Sequence, residues 1–403
     1  MKIRYEEFDS IRGIAALTVL FHHCLIVFPS IYLAHKHQEQ SSQILKVITY
    51  SPLHFFWAGH EAVILFFVLS GFVLYLSISN SKAFVYKEYV IKRLCRIYLP
   101  YLFVMIISIL LYNFYGYFNL INKDYLNTSD WFNRMWSENL DIKTIISVIF
   151  MLGFQTHNLN TVTWSLIHEL RISFFFPLIV FFINKNNVKY PFRKIFILIV
   201  SAWLILVYSA NLISNRNIQY FLLSFGSTFY YAIFFIIGCL LAKNIFNFKI
   251  FFANKNLFTK NILIFVCFIF YLNEWFFPFF SELRYSSSFT LSNLSNTAID
   301  LLTGCSVFIF FSILVSSEKI KEVLKNRYFL FLGQISFSLY LIHPIVLMSI
   351  INLFSDYVYL PILIMFSIFF SIFLSYYLYR YVELTSISIG KKIISKRKKT
   401  RVA

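Results

Sequence analysis

The chain has 403 residues, of which 59% are hydrophobic, 21% aromatic and only 13% charged. Soluble domains carry roughly 25% charged residues, and a chain this apolar lacks the polar side chains needed to cover its surface in water. The composition therefore excludes an ordinary soluble enzyme and indicates an integral membrane protein. The formal net charge of +18 is concentrated in short polar gaps between apolar runs, which is typical of membrane topology signals. We expect membrane lipids as partners and no nucleic acid.

Ten apolar runs are long enough to cross a bilayer as helices, because about 20 residues span its hydrocarbon core. They lie near 11–33, 61–80, 98–117, 164–184, 195–213, 221–242, 261–281, 297–316, 330–354 and 359–382. A shorter stretch at about 143–156 lies within a long polar segment, 118–163, and is expected to fold back into the outer leaflet. The sequence thus predicts an all-α integral membrane protein with about ten transmembrane helices.

The basic residues predict the orientation of these spans. With ten spans and the N-terminus inside, most lysines and arginines fall in cytoplasmic segments at 82–96, 185–194, 243–260, 319–327 and 386–403. An eleventh span at 143–156 would move 185–194 outside, against the positive-inside rule. We therefore expect both termini in the cytoplasm, one transmembrane domain over 1–385, and a basic tail over 386–403 that rests against anionic headgroups.

Two ionisable residues share one face of the first span. Arg12 and His23 are eleven positions apart, which places them within about 20° of each other and about 16 Å apart along a helix axis. A cation near the cytoplasmic surface and an imidazole deeper in the membrane suit an enzyme with an anionic donor, because histidine titrates near neutral pH. The structural alternative is that Arg12 snorkels to the interface and a neighbouring carbonyl satisfies His23.

Later spans also contain ionisable residues, where such residues indicate function. They are His168, Glu169 and Arg171 in the fourth span, Asp300 at the start of the eighth and His343 in the ninth. Glu169 can orient an imidazole from another helix or hold an acceptor hydroxyl, although Arg171 stands near enough in sequence to neutralise it. His343 precedes Pro344, which frees a carbonyl in the preceding turn. This imidazole is therefore either a reactive group or a partner for that carbonyl.

A pair of arginines follows the second span. Arg93 and Arg96 stand at i and i+3, so they share a face of a predicted helix. Guanidinium groups at this spacing suit a phosphate at the membrane surface. A basic cytoplasmic loop can also serve topology alone, and we find no metal-ligand spacing among the cysteines and histidines.

Five sequence blocks occur in order over most of the chain, roughly 5–385. They are FDSIRGIAA at 8–16 continuing to His23, FFVLSGF at 66–72, RLCR at 93–96 with Pro100, TWSLIHE at 163–169, and GQISFSLYLIHP at 333–344. With these blocks the chain resembles the membrane acyltransferase-3 family, which includes bacterial O-antigen, Nod-factor and exopolysaccharide O-acyltransferases. The resemblance implies a ten-helix membrane fold that moves an acyl group, usually acetyl, from cytoplasmic acyl-CoA to an extracytoplasmic sugar hydroxyl.

The resemblance also implies roles for individual residues. Arg12 and His23 would be essential, and Arg93 and Arg96 would bind the donor. It implies no permanently bound cofactor, acetyl-CoA as donor substrate, and a carbohydrate acceptor such as lipopolysaccharide O-antigen or exopolysaccharide, free or lipid-linked. The implied location is the bacterial cytoplasmic (inner) membrane. Family members often carry a proline shortly after the glutamate that ends the last span; Glu383 lacks one, so its role stays open.

The expected reaction places the CoA phosphates near Arg93 and Arg96, with Arg12 as a further candidate. His23 removes the proton of the acceptor hydroxyl, with Glu169 or His343 orienting the reacting groups, and an acyl-histidine relay is an equally open route. A transporter or flippase of glycolipid or small anions would use the same intramembrane charges, but the sequence shows no paired broken helices or internal repeat. A non-catalytic assembly component is the third interpretation.

Overall fold

The computed structural model describes residues 5–38, 42–81, 83–121, 127–154, 156–185, 189–277 and 289–402. Within these ranges the ordered elements are helices, and no β-strand occurs. Some predicted segments lie partly outside the described residues, at 82, 122–126, 155, 186–188, 278–281 and 403. The chain divides into two compact units, of which unit 1 comprises Met1–Leu76, Asn127–Ser129 and Phe234–Ser336, and unit 2 comprises Ser77–Leu126, Asp130–Ile233 and Phe337–Ala403.

The helices vary from single turns to membrane-spanning length. Those of the first half are α1 (Glu6–Leu25), α2 (Pro29–His35), α3 (Gln43–Thr49), α4 (Gly59–Ser79), α5 (Tyr86–Arg93), α6 (Leu99–Tyr117), α7 (Asp130–Asn133), α8 (Ile142–Phe150), α9 (Thr156–Leu159) and α10 (Thr163–Asn184). Those of the second half are α11 (Pro191–Asn211), α12 (Arg216–Lys243), α13 (Ile245–Ala253), α14 (Leu257–Tyr271), α15 (Asn273–Phe276), α16 (Phe289–Ser316), α17 (Glu318–Leu324), α18 (Arg327–Phe354), α19 (Leu360–Tyr377) and α20 (Leu384–Val402). A 3₁₀ turn covers Pro52–Trp57, and π-helical turns cover Leu94–Tyr98 and Leu378–Glu383.

Eight described helices are long and apolar enough to cross a membrane, and α1 with α2 forms a ninth candidate that bends by 119°. The bend occurs where Pro29 begins α2, because proline cannot continue the preceding helix. Helix α14 is apolar but has 15 residues, about 22 Å at 1.5 Å per residue, which is shorter than a bilayer core of about 30 Å. The prediction of an all-α integral membrane protein is confirmed, while its first span is a bent pair and its seventh is short.

The short apolar stretch near 143–156 forms α8, which has nine residues. At about 14 Å it is too short to cross a bilayer. Asp141 caps its first turn by accepting the Thr144 N–H at 2.7 Å, and Met151 ends it in the left-handed conformation. The segment therefore adds no eleventh span.

Glycines allow close helix contacts within unit 1. A methyl group at Gly71 of α4 would overlap the backbone of Phe235 in α12, and one at Gly238 would overlap the backbone of Val68. Gly13 of α1 and Gly333 of α18 meet in the same way, each against the backbone of the other helix. Three of the five sequence blocks thus supply helix packing, as small residues do in membranes.

Candidate active site

Arg12 and His23 both lie on α1, which is unbroken from Glu6 to Leu25. The two residues therefore have the spacing expected of residues on one face of a continuous helix. Nη1 of Arg12 donates to Oδ1 of Asp9 at 3.3 Å, and both side chains are partly exposed. Asp9 stands three residues earlier on the same helix, so the guanidinium is partly neutralised from within α1. This aspartate is part of the first sequence block, yet sequence reasoning did not assign it a role.

The C-terminal end of α1 meets a cluster of imidazole and indole rings that sequence reasoning missed. Nδ1 of His22 lies 3.1 Å from the carbonyl oxygen of Trp57, and the ring of His22 is 5.4 Å from that of His23. The His54 ring stacks on Trp275 at 3.7 Å between centroids. The only sequence signal was the density of His and Trp over 54–60. Among the described residues, no group of three or more His, Cys, Asp or Glu is placed to hold a metal ion.

His54 lies in the 3₁₀ turn before α4 and is fully buried. Burial lowers the pKa of His54 well below its ordinary value, and the nearby imidazoles of His22 and His37 lower it further. The backbone of Thr49 has a smaller, opposing effect. His54 is therefore a neutral ring of the core, stacked on Trp275.

Three buried carboxylates surround this cluster within unit 1, each with a distinct partner. Glu61 accepts the indole N–H of Trp275 at 2.8 Å. Glu274 lies 3.2 Å from Nε2 of His37, and Asp300 lies 2.6 Å from Nε2 of His60. Sequence reasoning noted Asp300 at the start of a span but did not pair it, because more than 200 positions separate it from His60.

The arginine pair of unit 2 flanks a change of helix type. Arg93 ends α5, and the π-helical turn that follows contains Arg96. Arg93 is half-buried with its guanidinium 5.9 Å from the ring centre of Tyr89, whereas Arg96 is exposed. The hydroxyl of Tyr89 donates to the carbonyl of Ser173 in α10 at 2.8 Å. The two guanidinium groups are thus unequal in burial, which the simple i, i+3 spacing did not predict.

Glu169 of α10 lies close enough to Arg93 for their charges to interact, so the structure brings these two predicted residues together. It also lies within electrostatic range of Tyr340, whose hydroxyl is 2.6 Å from Oγ of Ser165. Arg171 instead donates to Oγ of Ser224 and to the carbonyl of Leu152, each at 2.8 Å. Arg93 is therefore a cation that the structure places within electrostatic range of Glu169.

His343 lies inside α18, directly before Pro344, and is fully buried. Nδ1 of His343 lies 2.9 Å from the carbonyl oxygen of Leu339, one turn earlier. Its ring centre is 6.2 Å from that of Tyr340, which places it near the Ser165–Tyr340 pair. One ring nitrogen of His343 is thus within hydrogen-bonding distance of the backbone in the turn before Pro344.

Glu383 lies in the second π-helical turn and is buried. It accepts a hydrogen bond from Oγ of Ser338 at 2.9 Å. The carboxylate thereby joins the last span to the block around His343 without the proline that the sequence lacks. This contact fixes the position of the Glu383 side chain.

The family model described as the acyltransferase domain matches residues 5–380. A search of curated proteins and a search of solved structures each found no match to the chain. The matched range includes all six predicted site residues and all of the candidate spans as far as α19. The chain is therefore a multi-pass membrane acyltransferase that belongs to the acyltransferase-3 family.

Proposed function

We propose that this acyltransferase moves an acetyl group from cytoplasmic acetyl-CoA to a hydroxyl of a cell-surface carbohydrate, such as lipopolysaccharide O-antigen or exopolysaccharide, at the bacterial inner membrane. The observation that carries the proposal is the acyltransferase match over 5–380, because it includes every ionisable group assigned here to the reaction. No permanently bound cofactor is needed, since acetyl-CoA is a substrate.

The donor is assigned to the arginines of unit 2. CoA carries several phosphates, and guanidinium groups bind phosphate through two parallel hydrogen bonds. Arg96 is exposed and is available to such a group. The Arg93 guanidinium lies near the ring of Tyr89 on its own helix and within electrostatic range of Glu169 on α10. Arg12 is a further cation for the same substrate.

The reacting groups are assigned to His23, Glu169 and His343. In direct transfer, His23 takes the proton of the acceptor hydroxyl while the hydroxyl oxygen attacks the thioester carbon. The carbon–sulfur bond then breaks, and the CoA thiolate takes the proton from His23. In the relay, a ring nitrogen of His23 first carries the acyl group. Glu169 and His343 are orienting groups in both routes, and both routes need His23.

The test is mass spectrometry of surface polysaccharide from cells with the gene intact, deleted, or carrying His23→Ala. Loss of one acetyl group per repeat unit is expected in the deletion and in His23→Ala. His157→Ala is the matched control, because His157 is exposed on α9, and its glycan should keep the acetyl group. An unchanged glycan in the deletion strain contradicts the proposed acceptor, and an acetylated glycan in His23→Ala contradicts the role of His23.

A second measurement separates acyl transfer from transport. Detergent-solubilised protein should consume acetyl-CoA although no membrane divides two compartments. A transporter or flippase would leave acetyl-CoA intact under these conditions.

A further inference from the structure

His60 and Asp300 form a hydrogen-bonded imidazole–carboxylate pair in unit 1. Nε2 of His60 lies 2.6 Å from Oδ1 of Asp300. The Asp300 side chain is 6% exposed, whereas the His60 side chain is 26% exposed. The carboxylate is thus enclosed by protein while the imidazole stays accessible.

A second imidazole–carboxylate pair in unit 1 has both of its side chains buried. Nε2 of His37 lies 3.2 Å from Oε1 of Glu274, and the two side chains are only 7% and 2% exposed. Both members of this pair are sealed from any substrate. Accessibility of the imidazole therefore distinguishes His60 from His37.

The position of His60 relates it to the end of α1. It follows Gly59, where a methyl group would overlap the ring of His22. His22 and Glu61 both lie within electrostatic range of His60, and the His22 ring contacts that of His23. The groups facing His60 thus include Asp300 from α16, His22 from α1 and Glu61 from its own helix.

We propose that His60, oriented by Asp300, is a catalytic base that activates the acceptor hydroxyl. The proposal rests on the proposed acyl transfer and selects the route through acyl-His23. A carboxylate that accepts the Nε2–H of an imidazole fixes its tautomer, so that the lone pair lies on Nδ1, and stabilises the imidazolium that forms. An acylated His23 cannot act as a base, and the relay therefore requires a second one.

The two steps balance in protons and bonds. In the first, a ring nitrogen of His23 attacks the thioester carbon, the carbon–sulfur bond breaks, and the CoA thiolate takes the proton that His23 releases. In the second, the acceptor hydroxyl gives its proton to Nδ1 of His60 while its oxygen attacks the acyl carbon. The bond from that carbon to His23 breaks, and the proton on His60 passes to the departing nitrogen.

The test uses membranes of the deletion strain that contain the full-length wild-type protein or a variant, supplied with radiolabelled acetyl-CoA. His60→Ala should slow label transfer to polysaccharide by about 100-fold or more, and Asp300→Asn by about 10-fold or more. Added imidazole should restore part of the activity of His60→Ala, because the missing ring is an accessible one. In His60→Ala the protein itself should accumulate label, and a His23→Ala/His60→Ala double variant should not.

Two control variants separate this role from packing. Added imidazole should not restore any activity that His37→Ala loses, because the His37 site beside Glu274 is sealed from solvent. His157→Ala should transfer label at the wild-type rate.

The proposal is overturned if His60→Ala transfers label within about twofold of wild type. It is also overturned if His60→Ala is inactive, imidazole fails to restore it and its protein stays unlabelled, since that is the behaviour of a packing residue. Wild-type membranes that fail to label polysaccharide would instead contradict the proposed function itself.

Discussion

Histidines of unit 1 differ chiefly in how far water and substrate can reach them. His54 is fully buried and stacked on Trp275, where a proton would place a charge beside two other imidazoles. His60 keeps an accessible ring beside an enclosed carboxylate. Burying an unpaired charge is costly, so the His54 ring is a neutral packing group. The Asp300 carboxylate, in contrast, suits the His60 ring to carry a proton.

The buried ring of His54 predicts a loss of stability in mild acid. Its pKa is lowered in the folded protein, so below a pH of about 6.5 the unfolded chain binds a proton that the folded chain excludes. The stability of the wild type should therefore fall as the pH drops below that value. His54→Phe retains an aromatic ring for Trp275 and should show a shallower fall. Thermal unfolding in detergent between neutral and acidic pH measures both slopes; parallel slopes would show that His54 does not contribute.

The sequence predicts individual site residues better than it predicts their partners. Arg93 and Glu169 were each predicted from an ionisable side chain near an apolar run, and the structure brings them together. The partner of Asp300 was not predictable, because His60 is remote in sequence and no local pattern joins them. Pairings of this kind depend on how distant helices pack, which composition and periodicity do not encode.

At the scale of the element, hydropathy predicted where helices occur better than how they are shaped. The bend between α1 and α2 follows from Pro29, which lay inside an apolar run that read as continuous. The π-helical turn at Leu94–Tyr98 has no hydropathy signal, although π turns are frequent at functional sites. Such a turn shifts the face on which Arg96 lies relative to Arg93, and their unequal exposure agrees with this.

The glycine contacts between helices predict that two glycine-to-alanine changes differ sharply in their effect on thermal stability. Gly71→Ala in α4 adds a methyl group where the backbone of α12 stands, so the two helices must separate and the protein should unfold at a lower temperature. Gly116→Ala in α6 adds a methyl group with nothing within 4 Å. It should leave stability unchanged or raise it by about 0.5–1 kcal/mol through helix propensity. Thermal unfolding of the two variants in one detergent tests the contrast, and equal effects would contradict the close contact of α4 and α12.

At the scale of the whole molecule, composition alone established a membrane protein, and the family resemblance added the reaction class. The number of membrane crossings is the property that composition leaves open. Helix α14 is short, and the bent pair of α1 and α2 is either one span or none. The positive-inside rule favours ten crossings, because only then do the basic segments lie together on the cytoplasmic side.

Four variants, each with one added cysteine, test this topology. They are made in a Cys305→Ser background, because Cys305 is the one exposed cysteine among the described residues. Ten crossings predict that cysteines at Glu6, Lys185 and Glu318, all exposed, react with a membrane-impermeant maleimide only from the cytoplasmic face. A cysteine at Tyr357, also exposed, should react only from the opposite face. If α1 and α2 do not cross, Glu6 and Lys185 will lie on opposite faces, since three spans then separate them. If α14 does not cross, Lys185 and Glu318 will lie on opposite faces for the same reason, so labelling of inverted and right-side-out vesicles decides each crossing separately.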